Sequence, residues 1–365
     1  MIRSFIKNIL AGPTRAAPAY PRQFALALAA YKSGDFSGAE TGFVRLAATN
    51  PDDAEAWVYA GLCALERGAI ADALPRLANA RKIDPDNYHY QFAEARALAL
   101  DGQAAPARRA CMRVLDLAPD FNPAYMLWAT LELPGADYFS FLQRLHAFQK
   151  PPTYIEIGVF RGQSLQFVGA QTRALGVDPA PQLQHALPPT ARVLTMTSDE
   201  FFAVTDFDAE LGGQPLALGF IDGMHRFEFA LRDFINMERI AASTGTILIH
   251  DCYPLCRATA LPESRAGFWS GDVWRLILIL KKYRPDLQVH TLAFAPTGLG
   301  MVRSLDPASK VLSEQYDRIV NEFATLDYSV LDAGKAGMLN LYSNRWDDIV
   351  PLLRNEAARA EPAVG

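Results

Sequence analysis

Three residue types in the first third of this chain keep one period. Pro51, Pro85 and Pro119 recur at 34-residue intervals, as do Gly34, Gly68 and Gly102, and again Ala39, Ala73 and Ala107. A period of that length describes a helical hairpin that cannot bury its apolar face alone, so successive hairpins must stack. The phrases Asn50-Pro51-Asp52, Asp84-Pro85-Asp86 and Ala118-Pro119-Asp120 close units at about residues 20–53, 54–87 and 88–121. A further helix opens at Asn122-Pro123 and carries Tyr125, Leu127 and Trp128, as a cap would.

A 34-residue period with a small residue at the helix crossing and a proline closing each unit resembles the tetratricopeptide repeat. The resemblance implies an α-solenoid with a concave face. Two uses of that face stay open: docking of a peptide or partner protein, or bracing of the following domain or a dimer interface. Tyr31, Tyr59 and Tyr90 are candidates to line it.

With 365 residues, half of them hydrophobic and 21% charged, the chain has material for two packed domains. A net charge of −5 argues against a general nucleic-acid binder. Cys63, Cys111, Cys252 and Cys256 are scattered rather than arranged as a disulfide framework, which fits a reducing compartment. There is no apolar run of membrane-spanning length, and Met1–Leu10 is too interrupted for a secretory signal, so the expectation is a cytoplasmic protein.

A second constraint begins after Pro151-Pro152. The apolar run around Tyr154–Ile157 meets two glycines and continues as Leu165-Gln166-Phe167-Val168 at helical spacing. This predicts strand, glycine loop and helix, with helix N-terminal amides facing a ligand. A second apolar run, Ala174–Val177, ends in Asp178, placed to bind ribose hydroxyls. A dinucleotide fingerprint needs G-x-G-x-x-G, and Phe160 stands at its middle glycine. The pattern is instead Glu156-x-Gly158-x-x-x-Gly162-x-Ser164, which resembles motif I of the class I S-adenosylmethionine (SAM)-dependent methyltransferases. An NAD-dependent oxidoreductase is correspondingly disfavoured.

Beyond the loop, strands alternate with helices, as in a Rossmann-like, doubly wound parallel sheet. Ala191–Leu194, Leu216–Ile221 and Thr246–Ile249 are the next strands. Leu287–Phe294 and Leu299–Arg303 form a terminal β-hairpin resembling the antiparallel closure of class I methyltransferases. The expected organisation is multidomain α and α/β. An N-terminal segment (1–19) precedes a repeat domain (20–132), a linker helix (133–150), a methyltransferase domain (151–304) and a helical C-terminal extension (305–365) with no assigned role.

Ligands of open α/β sheets sit beyond the carboxyl ends of the strands. Glu156, Gly158, Gly162, Ser164 and Asp178 are therefore the expected cofactor residues, with Ser198 and Asp199 after the third strand toward the adenine. Asp222-Gly223-Met224-His225 and His250-Asp251 end the fourth and fifth strands. That pairing resembles sugar O-methyltransferases of macrolide biosynthesis. The resemblance implies a general base at His225 and a magnesium ion on Asp222 and Asp251. His250 departs from it: a second acid is expected there, and imidazole suits magnesium poorly. The metal set is thus Asp222, Asp251 and His250, for Mg2+ or another divalent cation, or for no ion at all. His250, Cys252 and Cys256 lack the spacing of a zinc hook. Arg257, Arg265 and Trp269 lie in a long loop where an acceptor could be clamped.

The expected activity is SAM-dependent O-methylation of a saccharide or glycosylated metabolite, with a protein partner on the repeats and homo-oligomerisation left open. The alternative is a catalytically inactive methyltransferase fold that recruits partners through its repeats.

Overall fold

A computed structural model describes residues 21–264 and 267–354. The chain divides into two compact units, one of residues 21–131 with 267–268 and one of residues 132–264 with 269–354. The segment before Pro21, including Met1–Leu10, and the candidate Arg265 lie outside the described residues.

In the first unit the described residues form helices α1 (Pro21–Ser33), α2 (Phe36–Thr49), α3 (Ala54–Glu66), α4 (Ile70–Ile83), α5 (Tyr88–Leu100), α6 (Ala104–Leu117) and α7 (Asn122–Glu132). The period has a direct cause. Gly34, Gly68 and Gly102 turn each hairpin at φ of +87°, +77° and +77°, a region that costs glycine little. Ala39, Ala73 and Ala107 are fully buried where the helices cross. Asp53 and Asn87 cap α3 and α5 by accepting from the backbone N–H of Ala56 and His89. Tyr59 departs from the groove expectation: it is core, stacked on Phe43 at 4.9 Å with Tyr31 edge-on at 5.4 Å. Tyr31 and Tyr90 are partly buried against the same cluster. Aromatics at helical spacing here fill the hairpin interior.

The second unit opens with α8 (Tyr138–Gln149) and builds one sheet from β1 (Thr153–Ile157), β2 (Arg173–Val177), β3 (Ala191–Leu194), β4 (Leu216–Ile221), β5 (Ala241–Ile249), β6 (Gln288–Leu292), β7 (Leu299–Arg303) and β8 (Leu341–Tyr342). The order is β3-β2-β1-β4-β5-β7-β6-β8, and β7 alone runs antiparallel to its neighbours. The expected hairpin is therefore present. Helices α9 (Ser198–Val204), α10 (Phe207–Leu211), α11 (Phe227–Ile240) and α12 (Trp274–Tyr283) lie between the later strands. The order reverses between β1 and β4, so a crevice opens beyond their carboxyl ends.

Two expectations need correction. The glycine loop is not followed by an α-helix; Leu165–Phe167 is a single 3-10 turn before the chain enters β2. Gly162 and Gly169 leave six residues between them, too few to propagate a helical nucleus. The C-terminal extension is also more than helices. Its α13 (Val311–Glu314), α14 (Tyr316–Ala324), α15 (Lys335–Met338) and α16 (Trp346–Leu353) bracket β8, which adds a parallel edge to β6. Ile319, Phe323, Leu331 and Ile349 bury their side chains in the core of this unit. No helix among the described residues is long and apolar enough to cross a membrane.

Candidate active site

Glu156 lies at the centre of the sheet, fully buried. Its carboxyl accepts hydrogen bonds from the hydroxyls of Tyr154 and Ser164. Burial pushes it up to about 8, against the pull of those two hydroxyls. Glu156 and Ser164 thus tie the strand to its loop from inside. Gly158 turns the chain at φ +89°, where a β-carbon would lie 1.9 Å from the Asp222 carbonyl oxygen. Gly162 follows at φ +74°. Asp178 closes the loop from β2: its Oδ2 accepts from the Phe160 N–H and its Oδ1 from the Ala180 N–H, both at 2.7 Å.

Ser198 and Asp199 begin α9 behind a capping box on Thr197. Asp199 takes a bidentate pair from Arg232 at 2.7 and 2.9 Å. Ser198 hydrogen-bonds the buried Asp233, which burial raises to about 7. Asp233 was not legible as a site residue, yet it lines the same cavity as Asp222.

At the ends of β4 and β5 the structure brings four groups together. His250 Nδ1 stands 3.1 Å from Asp222 Oδ1 and 3.3 Å from Asp251 Oδ1. His225 Nδ1 stands 3.0 Å from Asp251 Oδ2, and its Nε2 lies 3.4 Å from Asp222 Oδ1. They face a small pocket that is also lined by Met224, Asp233 and Val273. Despite these approaches, His225 Nδ1, His250 Nδ1 and Asp251 Oδ2 are buried atoms whose directions match no hydrogen bond. Asp222, His250 and Asp251 each offer a ligand atom within 4.8 Å of the others. Buried histidine nitrogens and carboxylate oxygens that face one another without a hydrogen bond of fitting direction suit a cation between them.

The charges are strongly coupled. Burial opposes ionisation throughout, but the His250 and His225 rings bring Asp222 down to about 2 and hold Asp251 well below the carboxylate range. Against the same burial, the two carboxylates push His250 up to about 10 and His225 well above its ordinary value.

Backbone strain fixes the cluster. His225 and Asp251 both occupy the left-handed region, at φ 57° and 62°. The segment before α12 clamps His225: a β-carbon on Gly271 would lie 1.7 Å from the His225 carbonyl oxygen, and the Asp272 N–H donates to that oxygen. Trp269 stacks its ring on the His225 imidazole at 5.2 Å, so this loop candidate does join the site. Arg257 does not; its guanidinium pairs with Asp327 on the surface. Tyr138 and Thr297, both missed in the sequence, hold His250. The Tyr138 ring packs on it at 4.3 Å and the Thr297 hydroxyl lies 3.4 Å from Nε2. Cys252 Sγ turns away, toward the Ile249 carbonyl.

Comparison with known proteins agrees with this architecture. The Methyltransferase domain family matches residues 155–252, which span β1 to the end of β5, and the Tetratricopeptide repeat family matches residues 24–79. The chain therefore carries a methyltransferase domain, which implies use of SAM, behind tetratricopeptide repeats. No curated protein matches it. Among solved structures, it is similar to the Yersinia enterocolitica type III secretion chaperone SycD in complex with a peptide of the translocator YopD. That match has 18% identity and a TM-score of 0.30, covering 31% of this chain and 91% of the chaperone. It is similar also to MamA from Desulfovibrio magneticus RS-1, at 20% identity and a TM-score of 0.30, covering 32% and 66%.

Proposed function

We propose that the second unit is a SAM-dependent O-methyltransferase acting on a hydroxyl of a saccharide or glycosylated metabolite, assisted by a divalent cation. The observation that carries this reading is the convergence of Asp222, His225, His250 and Asp251, with three buried atoms in ion-pair range that make no hydrogen bond of fitting direction, beside a methyltransferase loop.

A hydroxyl must lose its proton as it attacks the sulfonium methyl, and His225 is the base placed to receive it. An imidazolium cannot take that proton. When bound by Asp222, Asp251 and His250, a divalent cation would lower the hydroxyl's pKa and supply the positive charge those carboxylates otherwise draw from protons on the rings. His225 can then stand neutral. Its tilt is set by Trp269 on one face and by Gly271 and Asp272 on its backbone. In this reading Gly158 and Gly162 shape the cofactor loop, Glu156 and Ser164 hold it, Asp178 would meet the ribose hydroxyls, and Ser198 and Asp199 would border the adenine. The repeats are proposed to dock a protein partner.

A second reading has one observation in its favour. Glu156, Ser164 and Asp178 are all satisfied internally and the loop is followed by a 3-10 turn rather than an α-helix, as a non-catalytic methyltransferase fold would tolerate. Calorimetric titration with SAM, followed by transfer of a labelled methyl group to a panel of saccharides, separates the two. SAM binding with transfer supports the enzyme; binding without transfer to any acceptor supports the scaffold.

A further inference from the structure

We propose that the cation of this site is a borderline divalent ion of the iron-to-zinc series rather than magnesium. The inference rests on the metal-assisted reading above and narrows it to an ion class.

The argument is the donor set and how it is held. Magnesium demands oxygen ligands in near-ideal octahedral geometry, whereas imidazole suits the later first-row ions. His250 places Nδ1 3.1 and 3.3 Å from Asp222 and Asp251, and that atom has no hydrogen-bond partner. Asp251 Oδ2, in a side chain only 3% exposed, lies 3.0 Å from His225 Nδ1 and likewise makes no hydrogen bond of fitting direction. The ring cannot easily turn aside. Tyr138 packs against its face, and the Thr297 hydroxyl oxygen is placed to accept the Nε2 proton. A histidine ligand commonly gives its distal N–H to such an outer partner, which fixes the tautomer and points the free lone pair at the metal. In the tautomer with the proton on Nε2, the free lone pair is that of Nδ1, which lies between the two carboxylates. Two oxygens and one nitrogen are a poor magnesium cage and a suitable donor set for Co2+, Fe2+ or Zn2+.

The test uses the full chain, stripped by chelator and dialysed. Co2+ is titrated and followed by its visible absorption, and Mg2+ is titrated by calorimetry and as a competitor of bound Co2+. The expected result is one equivalent of Co2+ with ligand-field bands, held at least about tenfold more tightly than Mg2+. His250→Asp, which makes the set all-oxygen, is expected to close that gap. Should this variant not fold by circular dichroism, competition on the parent chain still decides. Equal or tighter binding of Mg2+ overturns the proposal and leaves a metal-assisted enzyme intact. Binding of neither ion overturns the proposal together with the metal, leaving protons on the rings. Tight Co2+ binding without methyl transfer to any acceptor supports the ion class while counting against the proposed activity.

Discussion

Gly158 and Asp222 touch across the strand ends, with room for no side chain between them: a β-carbon on the glycine would lie 1.9 Å from the aspartate carbonyl oxygen. The glycine loop after β1 and the end of β4 are therefore one packed piece. Gly158→Ala forces them apart and must also hold φ near +89°. We expect a loss of about 2–4 kcal/mol in denaturant unfolding, combining overpacking with left-handed strain. Unchanged stability would mean that the two loops are free to separate.

Two buried titratable groups should pull the pH dependence of stability in opposite senses. Asp233 is raised by burial to about 7, so its contribution is complete below the ordinary aspartate pKa and is lost as pH rises through 7. His146, buried on α8 with both ring nitrogens unpartnered, is lowered by burial to about 4. Its contribution is complete above the ordinary histidine value and is lost as pH falls toward 4. Melting temperatures measured from pH 4.5 to 8 should show Asp233→Asn removing a fall in stability as pH rises toward 7, and His146→Gln removing a loss of stability as pH falls from the ordinary histidine value toward 4. Parallel profiles for parent and variants would remove both assignments.

Much of this was legible in the residues, for physical reasons. The 34-residue period shows because turn, crossing and closing positions each admit few residue types. Leu216–Ile221 shows as a strand because it is apolar throughout, and Asp222, His225 and Asp251 follow from the rule that strand ends face the ligand. What failed to show depends on contacts between distant segments. Nothing local marks Tyr138 or Thr297 as supports of His250, 112 and 47 positions away in sequence. Gly271 reads as an ordinary loop glycine until it meets His225. The helix expected after Gly162 fails because four apolar-spaced residues do not make a nucleus. β8, two residues long, has no period to read.

Asp251 should separate metal from base. Its Oδ2 is buried 3.0 Å from His225 Nδ1 with no hydrogen bond of fitting direction, and Asp251→Asn removes a charge while keeping shape. Cation affinity is expected to fall with the rate, and excess cation to restore part of the activity. No amount of cation should rescue His225→Ala. A variant that loses rate with cation affinity unchanged would place Asp251 in orienting His225 alone.

The most direct measurement is methyl transfer from labelled SAM to a saccharide panel, run with the parent chain and with His225→Ala. The parent should label at least one acceptor at a hydroxyl. His225→Ala should lower turnover by about 10²–10⁴-fold while calorimetry shows SAM binding unchanged. Transfer that survives the loss of His225, or a parent chain that binds SAM and methylates no hydroxyl, would contradict the account.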